Sequence, residues 1–416
     1  MKKIILLAVI SCLSYSVFAQ SEYMVVTKKN GSSVNIKVAD VDSVSFATLV
    51  GEPQGSYTES GISIKNYDME INPISKLPYV FYYVTGKAGS LAGVNNGVWS
   101  NIGSLGFTPS VPYDASSLSF DENGVPYVFF INAGKYGQVM KYANNAWTNV
   151  GNQFGTTSTI TGMVDGIALD QSGNPIVGYM LSSAVGSIAK RTLVVNYFDG
   201  DAWMDNLTIS GVAATDYLVT VFKAGGTVYC GFIQQGVGGS YKLYKYEGNF
   251  TWSKVCDFLP SSATQPNIAG VDWAVSNDGS TVYLLAGSDA ITNSVWFPTV
   301  YKYNVSTTTW TQVGDPLPSA GGTNNATMQS ACRFALNIDS KGNPMVFYKN
   351  YDNHYYPTIV TLNADTRQWN TPVVLDKYPL GTGKIMLKSV ESGVQYASYI
   401  KAVDGINQVA LVKLNY

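Results

Sequence analysis

The sequence predicts an all-β fold, a seven-bladed β-propeller of four-stranded antiparallel blades, with a small β-hairpin before it. Three observations predict it. A short apolar run preceded by a turn recurs seven times, about fifty residues apart, as in Pro78-Tyr79-Val80-Phe81-Tyr82, Pro126-Tyr127-Val128-Phe129-Phe130 and Pro344-Met345-Val346-Phe347-Tyr348. Each copy carries its own turn signals, spaced for four short strands. The composition, with 29 Tyr, 40 Gly and only 13% charged residues, is that of a β-rich extracellular protein. A chain of 416 residues exceeds one ordinary core, but repeated units need only bury their faces against neighbours.

Residues 1–19 read as an export signal. Lys2 and Lys3 begin it, residues 4–13 are its apolar centre, and Val17-Phe18-Ala19 precedes a cleavage point at Gln20. The protein is therefore expected to be exported: secreted, periplasmic or at the cell surface. A rival reading takes Val9-Ile10-Ser11-Cys12 as a lipobox that would leave a lipid anchor on Cys12. No later stretch approaches ~18 uninterrupted apolar residues, so no transmembrane segment is expected.

Residues 20–44 read as a separate hairpin adaptor. Residues 23–27 and 34–38 flank Lys29-Asn30-Gly31-Ser32, an Asn-Gly turn between alternating strands.

Residues 45–416 carry the blades, and residues 116–151 show one clearly. Ser117-Leu118-Ser119-Phe120 alternates as a first strand, and Asp121-Glu122-Asn123-Gly124 turns it. Pro126 opens a second strand that is apolar on both faces, as suits a strand sandwiched between blades. Residues 138–142 make the third strand, Asn144-Asn145 the next turn, and Trp147-Thr148-Asn149-Val150-Gly151 the fourth. The first turn recurs near Asp170, Asp278 and Asp339, and the fourth strand at Trp99, Trp203, Trp252, Trp310 and Trp369. These tryptophans hold one place in every blade, which marks them as core pegs and not ligand platforms. The seventh unit has only three strands of its own. Residues 45–53 read like residues 309–316, with Gly51 in the place of Gly314, so an N-terminal strand is expected to complete the last blade and close the ring.

The Trp-x-x-Val-Gly endings and Asn-Gly-x-Pro-Tyr-Val turns resemble those of seven-bladed propellers, broadly kelch-like or sialidase-like, on exported bacterial proteins. The resemblance covers roughly residues 45–416 and implies architecture only. Most units lack the kelch Gly-Gly pair, and Ser276-Asn277-Asp278-Gly279-Ser280-Thr281 does not have the spacing of a sialidase Asp box. No catalytic residue is carried over.

Charge and cysteine use narrow the function. Without Lys2 and Lys3 the chain has 24 basic and 28 acidic residues, a net of −4, with no basic stripe, so nucleic acid is not an expected partner. Cys230 and Cys256 fall on the second and fourth strands of one unit. Strands two apart lie about 9.6 Å from each other, too far for a disulfide. Together with Cys332 they read as small buried apolar residues.

Chemistry has few places to sit. His354 is the one histidine, and no Cys-x-x-Cys or His-x-x-x-His pair exists, so zinc is not expected. No cofactor is expected; calcium could use the Asp-rich turns, but those residues are what a hairpin turn requires anyway. Asp68 and Glu70 lie two apart on one strand face, with small residues at the Glu70 position elsewhere (Ser119, Ala168, Ala274, Ser389). Asp272 and Arg333 lie near other inner strands. The second-to-third and fourth-to-first strand loops share one face of a propeller, and they carry Phe107, Tyr113, Trp296, Phe297, Tyr351, Asp352, His354 and Tyr355. Aromatic faces with polar rims suit stacking on sugars. The expected role is non-enzymatic binding by a monomer, of an extracellular glycan or else of a surface protein. The alternatives are a glycoside hydrolase or lyase with carboxylates at the channel mouth, and a protein-interaction scaffold at the cell surface.

Overall fold

The structure is a computed structural model. It describes residues 23–27, 33–37 and 51–414, except 113–115, 156–159, 162–163, 186–187, 205–216, 235–239, 260–266, 288–290, 293–294, 297, 318–333, 351–352, 382 and 391–392. The chain divides into two compact units, residues 1–49 and 50–416.

In the first unit, Tyr23–Thr27 pairs antiparallel with Ser33–Lys37, Tyr23 opposite Lys37. The second strand thus starts one residue earlier than the sequence pattern predicts. The expected export signal, and the rival lipobox reading at Cys12, fall outside the described residues.

The second unit is a seven-bladed β-propeller. From the channel outwards, blade one is Ile64–Ile71, Pro78–Val84, Ser90–Asn95 and Val98–Asn101. Blade two is Ser116–Phe120, Pro126–Ile131, Gly137–Ala143 and Ala146–Asn149. The remaining first strands are Ile167–Leu169, Tyr217–Ala224, Asn267–Val275, Phe334–Ile338 and Met386–Ser389. All neighbouring strands within the seven four-stranded paths pair antiparallel.

The second strands form the interior, as their double-sided apolarity requires. Every residue of Pro126–Ile131 is buried. Blade faces press against one another through shared clusters, such as the one joining Phe129 and Ile131 to Val177 and Tyr179 of the next blade. The turn at Asn144-Asn145 has positive φ at both residues (52° and 62°), the backbone hand that lets a two-residue turn follow the strand twist.

The recurrent tryptophans act between blades. Trp147 Nε1 donates to the Ile102 carbonyl (3.3 Å), Trp203 to Val150 (2.8 Å), Trp310 to Asp257 (3.2 Å) and Trp369 to Asp315 (2.8 Å), each acceptor closing the preceding blade. The glycine of the Trp-x-x-Val-Gly ending is where the next tryptophan lies. A Cβ on Gly151 would stand 3.0 Å from the Trp203 ring, and one on Gly314 would stand 2.6 Å from Trp369 Nε1.

Blade seven closes the ring with the N-terminal strand. Met386–Ser389, Gln395–Val403 and Ile406–Leu414 are followed in space by Gly51–Tyr57, with Gly51 opposite Leu414 and Tyr57 opposite Val409. The closure is as expected but its register is not. Trp99 Nε1 donates to the Gln54 carbonyl at 3.2 Å and lies against Gly55, so Gly55 and not Gly51 has the latch position. A bulge between Pro53 and Ser56 makes the shift possible, and residues 45–50 lie outside the described set.

Candidate functional site

The first strands line a central channel with a cavity of about 1020 Å³. Strand pairing sets which side chains share a level in its wall. Asp68 is opposite Phe81, Ser117 opposite Phe129, and Asp272 opposite Leu285, so these three are equivalent positions on blades one, two and five. Each does the same task. Asp68 Oδ2 accepts the Leu118 N–H at 2.6 Å, Ser117 Oγ accepts the Ile167 N–H at 3.4 Å, and Asp272 Oδ2 accepts the Leu336 N–H at 2.8 Å. In every case the donor is the inner strand of the following blade. An inner strand has an unpaired edge towards the channel, and its N–H groups need acceptors. The polar residues at this level supply them.

Asp68 is 3% exposed, and its other oxygen meets Lys384 Nζ at 2.8 Å. Glu70 Oε2 meets Lys388 Nζ at 2.7 Å, and Glu70 Oε1 accepts the Ile71 N–H at 2.9 Å. Both pairs bridge blade one to blade seven, the seam where the two ends of the ring meet. Burial pulls the Lys388 pKa down, but Glu70 and Asp68 pull it up further, and it lies above the ordinary lysine value.

The register corrects one expectation. Glu70 pairs with Tyr79 and Lys388 pairs with Tyr396, so Lys388, not Ser389, is the blade-seven equivalent of Glu70. Among the described residues of the wall, Asp68, Glu70, Asp121, Glu122, Asp272, Asp278 and Asp339 face Lys223, Lys384 and Lys388, a net of four negative charges.

The Asp-rich turns are closed on themselves. Asp121 Oδ1 accepts from Asn123 and Val125 N–H, Asp170 Oδ1 from Ser172 and Asn174, and Asp339 Oδ1 from Lys341 and Asn343. Hydrogen bonds from Ser276 and Ser280 hold the Asp278 carboxyl down at about 2. No group of three or more metal-ligating side chains converges among the described residues.

On the loop face the structure separates the aromatic candidates. Phe107 is not an open platform. Its ring stacks on Trp147 at 3.6 Å and 3° and leans on Phe81, because the loop from blade one to blade two passes over the peg of blade two. Trp296 ends a small hairpin in which Val295–Trp296 pairs with Ile291–Thr292 in the second-to-third strand loop of blade five. Tyr355 is 47% exposed in the corresponding loop of blade six, with φ +63°, beside His354 at φ +51°. Lys349 Nζ lies 4.8 Å from the Tyr355 ring centre. Tyr113, Phe297, Tyr351, Asp352 and Arg333 lie outside the described residues.

Sequence reasoning passed over Tyr378, which is 45% exposed on the loop from blade six to blade seven. Lys401 Nζ stands 4.8 Å from its ring centre and is held there by Asp376 at 2.9 Å. The signal available was Lys377-Tyr378-Pro379, an aromatic beside a cation and a proline in a turn-rich segment.

Cys230 and Cys256 are buried free thiols, and burial raises both well above the ordinary thiol value; Cys332 lies outside the described residues.

Comparison with family models and with curated proteins gives no match. Solved structures give the fold. The GH74 enzyme of Niastella koreensis aligns with TM-score 0.50 and 16% identity, over 81% of this chain and 51% of that one. A putative 6-phosphogluconolactonase from Bacteroides uniformis aligns with TM-score 0.48 and 11% identity, over 86% and 94%. An α-L-arabinofuranosidase from Fusarium graminearum gives 0.46 and 10%, over 72% and 92%. At these identities the likeness is one of fold alone.

Proposed function

We propose that this protein is an exported, non-enzymatic binding protein that recognises an extracellular glycan with the loop face of its propeller. The observation that carries the reading is the engagement of the channel carboxylates. Asp68, Glu70 and Asp272 each have both oxygens engaged: Asp68 by Lys384, Ser117 and the Leu118 N–H, Glu70 by Lys388 and the N–H of the next residue, Asp272 by the Leu336 N–H and the N–H of the next residue. A glycosidase needs one carboxyl free to give a proton and another free to attack or to activate water. Support on the binding side comes from Tyr355, an exposed ring on a loop with a cation beside it. The export signal supports an extracellular ligand.

A glycan array with the chain from residue 20, run with calcium and again with chelator, tests this. Specific binding that falls on Tyr355→Ala or Trp296→Ala is the expected result. Silence on every glycan would sink the reading and turn attention to a protein partner.

One observation favours a second reading, a propeller hydrolase or lyase. The Glu70–Lys388 pair is more open than the Asp68–Lys384 pair, with side chains 29% and 31% exposed against 5% and 17%, and it faces the cavity. Release of reducing ends from a polysaccharide, lost in Glu70→Gln, would establish that reading in place of the first.

A further inference from the structure

We propose that the loop face where blade six meets blade seven is a binding site for acidic saccharides, with Tyr355 and Tyr378 as its stacking surfaces. This rests on the glycan-binding reading and names the ligand class and the place. The two tyrosines come from different loops. Tyr355 ends the second-to-third strand loop of blade six, and Tyr378 sits in the connection from blade six to blade seven. A backbone hydrogen bond from the Leu380 N–H to the Tyr355 carbonyl (2.9 Å) ties these loops together. A second, from the Gly381 N–H to the Ile400 carbonyl (2.8 Å), anchors the connection to blade seven. The two loops that carry the rings are thus braced against each other and against blade seven.

Their exposure is unusual for this molecule. Tyr355 and Tyr378 are the two most exposed aromatic side chains among the described residues, at 47% and 45%, while most of the other described tyrosines are packed between blades. Each also has an ammonium group near its ring, Lys349 at Tyr355 and Lys401 at Tyr378, both at 4.8 Å. A cation held at an aromatic ring sets a positive charge beside whatever ligand group meets that ring. The exposed Lys377 lies next to Tyr378 in the chain. The described part of this cluster has three lysines and one carboxylate, Asp376, whose Oδ2 also accepts the Tyr399 hydroxyl.

Charge then selects the ligand. A neutral sugar would need only the rings. Lys349 at Tyr355 and the exposed Lys377 beside Tyr378 add attraction for a carboxylate or sulfate on the stacked residue, while the Lys401 charge is met by Asp376. An acidic chain is therefore favoured over a neutral one at this junction.

The test is affinity electrophoresis of the chain from residue 20 in gels containing polygalacturonate, dextran sulfate or neutral dextran. The expected result is retardation by an acidic polymer, weakened by about 0.5 M NaCl through screening. Tyr355→Ala and Tyr378→Ala should each weaken binding roughly two- to tenfold, the range an aromatic contact gives. Tyr378→Phe keeps the ring and should bind nearly as wild type. Lys377→Gln should weaken binding and flatten its salt dependence. Ile74→Ala, exposed on an opposite-face turn, should change nothing. Retardation by polygalacturonate alone marks a uronate ligand; retardation by dextran sulfate as well marks a general acidic site. Retardation by an acidic polymer that survives both Tyr→Ala changes overturns the site. Equal retardation by neutral dextran, indifferent to Lys377→Gln, overturns the acidic class while the glycan reading stands. No retardation, with silence on the glycan array, overturns both. Unchanged thermal unfolding of each variant shows that a loss is not one of folding.

Discussion

At Gly151 two demands meet in one residue. Its φ of +63° belongs to the left-handed region, and a Cβ there would stand 2.6 Å from the Phe198 ring. Gly173 has a similar φ of +80° but open space around it. Alanine at Gly173 should therefore cost only the backbone penalty of about 1 kcal/mol. Alanine at Gly151 should add an overpacking cost and reach about 3 kcal/mol. Urea unfolding of the two variants separates the terms, and equal losses would refute the latch geometry. Asp68 makes the same point for charge. Asp68→Ala leaves the Lys384 ammonium and the Leu118 N–H without this partner, and should cost about 3–5 kcal/mol because the site is buried. A loss under 1 kcal/mol would mean that Asp68 is not a structural tie. The identities of these residues are plain in the sequence, but their tasks are not. Asp68 and Glu70 read there as a carboxylate pair, since nothing local announces Lys384 and Lys388, more than three hundred residues away. Phe107 likewise reads as a free loop aromatic because its cover, Trp147, belongs to the next blade.

At the scale of elements, strand content was legible and strand register was not. Apolar runs and Asp-Gly turns mark where strands begin, because side-chain alternation and positive φ are local requirements. The residue that faces a neighbouring blade depends on pairing across a turn, and a bulge moves it. The closing strand shows this. Gly51 ends the stretch that matches the latch motif, yet the bulge after Pro53 gives the latch position to Gly55. Two predictions follow at this scale. Trp203→Phe removes the 2.8 Å bond to Val150 while keeping an aromatic ring, and should cost about 1 kcal/mol in urea unfolding. Removing residues up to Tyr57 strips the outer strand from blade seven and bares the edge of Ile406–Leu414. An apolar edge of that kind invites pairing between chains. Size-exclusion chromatography should show oligomers or aggregate in place of a single species. A truncated chain that stays monomeric, with an unchanged melt, would show that the closing strand contributes little.

The propeller as a whole should fail at alkaline pH. A period of about fifty residues made the ring legible, since each unit repeats one burial problem. The number and depth of the buried acids appear only once the blades are stacked. Burial raises Tyr82, Tyr399, Cys230 and Cys256 above their ordinary values and takes Tyr197 to about 12. Each is an acid that stays protonated longer in the folded chain than in the unfolded one. The folded state therefore binds more protons in the window between the two values, and stability falls as pH rises through it. Unfolded thiols titrate near 8.5 and unfolded tyrosines near 10. Stability should thus hold below about pH 8 and decline from about pH 8.5 by roughly 1.4 kcal/mol per pH unit for each thiol. The decline should steepen above about pH 10, as the tyrosines join. The raised Lys388 contributes in the same direction, because its charged form is the one the seam holds. Urea unfolding at a series of pH values, with reductant present, checks the curve. Cys230→Ala with Cys256→Ala should remove the early decline and leave the later one, which assigns the first phase to thiols. Stability that stays level to pH 11 would mean that water reaches these side chains in the folded ring, and that the blades are not packed as tightly as their interfaces imply.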